Sequence, residues 1–93
     1  MITVRAQFHS HFKEIASTGE ATFELESGSV AELAKQISAR YGPKMHSILI
    51  DSETNELNER GTMFVDSQGR RISIEDQLDE GETITFMVGI AGG

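Results

Sequence analysis

The 93-residue chain contains no cysteine, which removes disulfides, thiolate metal ligands and a cysteine nucleophile together. It also has no apolar run of membrane-spanning length and no N-terminal secretion-signal pattern, so it reads as a soluble, cytoplasmic protein without a membrane partner. Basic residues are scarce: eight Lys and Arg stand against fifteen Asp and Glu, a net charge of −7. A surface of that sign repels nucleic acid. The acids gather in Asp51/Glu53/Glu56/Glu59 and in Glu75/Asp76/Asp79/Glu80/Glu82. Most serve as a solvated face, while their sum favours a partner with a basic docking surface.

What is present suits one small globular domain. Hydrophobic residues make up 38% and charged residues 25%, with five phenylalanines and one tyrosine to build a core. A chain of this size buries roughly 60–65% of the surface it exposes when unfolded. That leaves little room for a deep catalytic cavity.

Ile2, Val4, Ala6 and Phe8 alternate with Thr3, Arg5, Gln7 and His9, the period of a strand with one buried face. Ala21, Phe23 and Leu25 repeat the pattern, so a hairpin follows a loop through Ser17-Thr18-Gly19, with Phe12 and Ile15 pinning the connection to the core. Ser29-Val30-Ala31-Glu32 has the form of a capping box. Val30, Leu33, Ala34, Ile37 and Tyr41 then recur at helical spacing, and Gly42-Pro43 supplies a stop. The segment 44–61 reads as loop, with Ile48-Leu49-Ile50 as a candidate short strand. Thr62–Asp66 is a predicted strand, Ser67-Gln68-Gly69 a turn, Arg70–Ile72 a candidate return strand, and Ile74–Leu78 a candidate helical turn. Asp79-Glu80-Gly81 precedes a last strand, 82–88, in which Ile84, Phe86 and Val88 alternate with Thr83, Thr85 and Met87. This order predicts an α+β, β-grasp fold: a mixed sheet packed on one main helix, with the first and last strands parallel at its centre.

The domain spans 1–89 and the tail 90–93. Ile90-Ala91-Gly92-Gly93 is a bare-backbone ending that can thread a passage closed to side chains. Gly93, through its carboxylate, is the candidate reactive residue; Gly92, Ala91 and Ile90 are the candidate passage residues. On the face away from the helix, Met87, and Phe64 with it, stand among polar neighbours as a candidate partner-binding patch. A one-residue slip would instead place them in the core, and both readings are open. His9, His11 and His46 lack the thiolate or spaced carboxylate that would complete a metal set, so no metal is expected. Ser10 has no oriented acid or oxyanion site to make it a nucleophile.

Several of these segments resemble the small sulfur-carrier subunit of molybdopterin synthase and its ubiquitin-like relatives. The resemblance runs through Val4–Phe8 into Phe12-Lys13-Glu14-Ile15-Ala16, close to the family's first strand and "elaG" loop, then through Gly28-Ser29-Val30 to Tyr41-Gly42. It continues through Met63-Phe64-Val65-Asp66, the Asp79-Glu80-Gly81-Glu82 match to a "dGDe" turn, and the closing Ile90-Ala91-Gly92-Gly93. One departure stands out: the family commonly has proline just before its "vaGG" ending, where this chain has Val88 and Gly89. The resemblance implies a carrier or non-catalytic subunit, not an enzyme, that binds no cofactor itself. An ATP-dependent activating enzyme would adenylate Gly93, a thiocarboxylate would follow, and the molybdopterin-synthase large subunit would receive the sulfur. The same tail suits a ubiquitin-like modifier joined to lysines, or a sulfur carrier for thiamin or tRNA thiolation; an interaction domain with an inert tail is the alternative of another class.

Overall fold

Val4, Ala6 and Phe8 are buried while Arg5 is exposed, and this alternation forms β1, Ile2–Phe8. The structure, a computed structural model, describes residues 1–58 and 62–88. β2, Glu20–Leu25, pairs antiparallel with β1 in a register from Ile2 opposite Leu25 to Gln7 opposite Glu20. The connection between them is not a plain loop. It holds a short helix, α1 (Ser10–Ala16), because Phe12 and Ala16, four residues apart, share one buried face. Ser17 ends this helix in the left-handed region, φ 60°, and donates its N–H to the Lys13 carbonyl at 2.9 Å.

The main helix, α2, covers Val30–Tyr41 as predicted, with Val30, Leu33, Ala34 and Ile37 buried. Ser29 Oγ accepts the Glu32 N–H at 3.1 Å, the first half of a capping box. The Glu32 carboxylate reaches further back than the second half requires. It accepts from the N–H groups of Glu26 (2.7 Å), Ser27 (2.8 Å) and Gly28 (3.3 Å), and from the Ser27 hydroxyl (2.8 Å). These donors, the Glu26 N–H foremost, lower its pKa to about 2. Gly28 sits at φ +75°, where a Cβ would lie 3.2 Å from Ile2 Cδ1, so both conformation and packing favour glycine there.

Two side chains of α2 bind the outer edge of β2. Gln36 Nε2 donates to the Glu24 carbonyl at 2.8 Å, and Arg40 Nη1 to the Thr22 carbonyl at 3.5 Å. The Arg40 guanidinium also lies 4.1 Å over the Phe23 ring.

Where the sequence predicts a loop, a third helix and a small hairpin form: α3 (Pro43–Leu49), β3 (Ile50–Asp51) and β4 (Glu56–Leu57). Pro43 does not only stop α2; it occupies the first turn of α3, where its missing N–H costs nothing. Met45 and Leu49, four apart, are both fully buried, so the candidate strand at Ile48-Leu49-Ile50 is instead the end of a helix turning into β3.

β5 (Thr62–Val65) and β6 (Thr83–Val88) complete a four-stranded sheet in the order β2-β1-β6-β5. β6 runs parallel to β1, from Arg5 opposite Thr83 to Phe8 opposite Phe86, and antiparallel to β5. The predicted return strand amounts to one bridge, Val65 to Arg71, with Ile72 donating to the Phe64 carbonyl at 3.1 Å. The candidate helical turn at Ile74–Leu78 is instead a β-turn, Ser73–Asp76, closed by Asp76 N–H on the Ser73 carbonyl at 3.0 Å, after which Gln77 forms a β-bridge with Ser29. A mixed sheet curls round α2: the α+β, β-grasp architecture.

Candidate functional site

β6 is a central strand, and it runs to Val88, next to Thr62 of β5. The other flank of this exit is the end of β1, where His9 donates its N–H to the Phe86 carbonyl at 2.9 Å. Ile90, Ala91, Gly92 and Gly93, the predicted passage and reactive residues, lie outside the described residues. What the structure describes is the strand that precedes them in the chain and its neighbours.

That strand has two faces. Ile84 and Phe86 point inward and are buried, while Thr83, Thr85 and Met87 are partly exposed on the outer face. The predicted outward phase of Met87 therefore holds. Phe64 is a correction: it is only 2% exposed and belongs to the core. The reason is the register. Phe64 stands directly opposite Phe86, and cross-strand partners share a face of the sheet. Its carbonyl accepts from Ile72 and that of Phe86 from His9, so both point away from the shared ladder. This is the pair type in which side chains approach most closely, and the ring centroids are 5.4 Å apart. Phe12 from α1 closes the cluster at 5.7 Å from Phe64 and 6.0 Å from Phe86.

The outward residue of β5 is Met63, opposite Met87. With Val65, opposite Thr85, these side chains form a partly exposed apolar patch beside the strand end. The same outer face turns polar across β1 and β2, where Arg5 and Glu20 form an ion pair at 2.7 Å among Thr3, Thr22 and Glu24. Sequence reasoning missed Met63 because Met63, Phe64 and Val65 are all apolar and show no alternation. The usable signal was Phe86: a strand pairing with it in that register had to put a phenylalanine inward.

The histidines are not brought together. His9 precedes α1, His11 Nδ1 lies 3.3 Å from Glu14 Oε1, and His46 on α3 lies 3.0 Å from Ser38 Oγ. Among the described residues no group of three His, Cys, Asp or Glu could hold a metal ion. Ser10 is the first residue of α1. A cleft of about 300 Å³ lined by Asp66, Arg70, Arg71 and Glu82 lies at the opposite end of β6 from the exit. Asp66 there accepts from the N–H groups of Arg70 (3.0 Å) and Gln68 (2.9 Å), which lower its pKa; these bonds shape the Ser67–Gly69 turn. Among the described residues no helix is long and apolar enough to cross a membrane.

No family model matches the chain, and no curated protein matches it in sequence. Solved structures do. SAMP1 from Haloferax volcanii superposes with a TM-score of 0.81 at 12% identity, over 98% of this chain and 99% of that one. A Pyrococcus furiosus protein assigned as molybdopterin converting factor, subunit 1, gives 0.76 at 19% identity, over 97% and 100%. Urm1 from Trypanosoma brucei gives 0.70 at 16%, over 98% and 95%. At these identities the likeness establishes the ubiquitin-like β-grasp fold, over essentially the whole length of each chain.

Proposed function

We propose that the chain is a ubiquitin-like carrier protein, activated at the carboxylate of Gly93, that delivers sulfur in assembly of the molybdenum or tungsten pterin cofactor. The observation that carries this reading is a Gly92-Gly93 ending four residues beyond a central strand, β6, whose Met87 joins Met63 and Val65 of the neighbouring β5 in one outer apolar patch. A bare tail reaches into a partner's site; the apolar patch beside it seats the partner. The similarity of fold to a molybdopterin converting factor subunit supports the choice of pathway.

A carboxylate is a poor electrophile and its oxygen a poor leaving group. The activating enzyme overcomes this by letting the Gly93 carboxylate attack the α-phosphate of ATP, expelling pyrophosphate and forming an acyl-adenylate. A sulfur donor then displaces AMP, leaving a thiocarboxylate for the synthase large subunit to use. Catalysis by positioning and charge stabilisation belongs to those partners. The chain is substrate and subunit, binds no cofactor, and works in the cytoplasm.

A second reading has its own support: SAMP1, among the structures most similar in fold, is a small archaeal modifier protein. On that reading a lysine amine captures the activated Gly93. Intact-mass spectrometry of the native protein separates the two. Replacement of one oxygen by sulfur at a terminal Gly93 marks the carrier; in a tryptic digest of the cell's proteins, lysines that carry the branched peptide Ile72–Gly93 mark the modifier; a native chain with neither, left unadenylated by its activating enzyme, refutes both.

A further inference from the structure

The chain has four methionines and no cysteine, so its oxidisable sulfur is all thioether. Their environments differ sharply. Met45 is completely buried between α3 and the core, and Met1 is 82% exposed at the chain start. Met63 and Met87 are partly exposed and directly opposite each other across β5 and β6, where Cβ atoms lie within about 5.5 Å. They supply two of the three apolar side chains in the patch beside the strand end.

We propose that Met63 and Met87 form an oxidation-sensitive pair, through which a peroxide switches off docking of the activating enzyme. The proposal rests on the carrier reading above. A thioether sulfur attacks the peroxide, the O–O bond breaks, one oxygen becomes the sulfoxide and the other leaves as water. Sulfur is oxidised by two electrons and the peroxide is reduced. The product is a polar, hydrogen-bonding group where an interface needs an apolar one, and burying it without a partner is unfavourable. Both side chains point away from the Phe12/Phe64/Phe86 cluster, so the oxidised domain keeps its core. Reduction by a dithiol reductase restores the thioether, releasing water and leaving the dithiol as a disulfide.

The test uses the full chain treated with hydrogen peroxide, cleared with catalase, mapped by peptide mass spectrometry and offered to the cognate activating enzyme in an ATP–pyrophosphate exchange assay. Met63 and Met87 should each gain one oxygen while Met45 does not and the far-ultraviolet circular dichroism is unchanged. Exchange at subsaturating carrier should fall about tenfold or more, the scale of losing one well-buried interface side chain. In a Met63→Leu/Met87→Leu chain, which keeps Met1 and Met45, the ratio of treated to untreated rate should stay near one, whatever its untreated rate. Equal exchange before and after oxidation of the pair overturns the proposal alone. So does a treated double variant that loses exchange as the wild type does, or a pair as resistant to peroxide as Met45. A chain that supports no exchange even untreated overturns the carrier reading, and the switch with it.

Discussion

Replacing Phe64 by alanine should be far more damaging than replacing its neighbour Met63, although both lie on one four-residue strand. Phe64 is 2% exposed and its ring lies 5.4 Å from Phe86 and 5.7 Å from Phe12. Removing a buried phenylalanine ring costs about 3–5 kcal/mol, including roughly 0.5–1.5 kcal/mol for each aromatic neighbour it had packed against. A domain of this length has only about 5–14 kcal/mol of stability in total. With a urea m-value of about 2 kcal/mol/M, the Phe64→Ala midpoint should fall by about 2 M, close to unfolding the chain outright if its stability is at the lower end of that range. Met63, partly exposed on the outer face, loses strand propensity and little packing, about 1 kcal/mol and about 0.5 M. Urea titration followed by circular dichroism measures both. A Met63→Ala loss equal to or larger than that of Phe64→Ala would mean that the faces of β5 are exchanged, and the docking patch would have to be abandoned.

The α2 stripe gives a companion result: Ile37→Ala, at a fully buried position, should cost about 2–5 kcal/mol in the same titration. Glu32 titrates from an ordinary 4.5 down to about 2 on folding, so its contribution is complete above pH 4.5 and is lost as pH falls through about 2. Glu32→Gln should accordingly flatten the fall in denaturant midpoint between pH 4.5 and 2, and an unchanged slope would exclude the carboxylate clamp. Arg40→Ala should cost about 0.5–1 kcal/mol because no guanidinium then covers the Phe23 ring, and should promote self-association through the bared edge of β2, visible by analytical ultracentrifugation. Gly92→Val, and deletion of Gly93, should leave the melting temperature unchanged yet abolish adenylation by the activating enzyme; adenylation at the wild-type rate would leave an interaction domain with an inert tail as the better account.

β1, β2, α2 and β6 were legible because each carries several apolar residues at one unbroken period. The parallel centre of the sheet followed from the long crossover between Phe8 and Thr83. β5 was legible as a strand but not in its facing, since three consecutive apolar residues carry no phase and only the pairing with Phe86 supplies one. α3 was hidden by its own boundary. Gly42-Pro43 is equally a stop for the helix before and a start for the helix after, and a seven-residue helix offers one buried i,i+4 pair, Met45 and Leu49, as its whole signal. The extra reach of Glu32 to Glu26, Ser27 and Gly28 was also out of view, because a capping box specifies the donor at Ser29 and nothing before it. The Gly-Gly ending was visible as a motif; the company of Met63 needed the register.

Pairing the first strand with the last has a consequence for synthesis. Arg5 waits opposite Thr83, and Thr3 N–H waits for the Glu80 carboxylate, 77 positions later in the chain. Contacts of such sequence separation are slow to form and reward the chain only once the intervening loop is closed. While the ribosome still holds the last strand, β1 lacks its central neighbour and the phenylalanine cluster lacks Phe86. An interrupted product therefore lacks both the sheet centre and the glycines that follow it, and is left to the proteases that remove unfolded chains. The order of the residues along the chain thus puts completion of the core at the very end of synthesis, with β6, and no shorter product has the sheet centre.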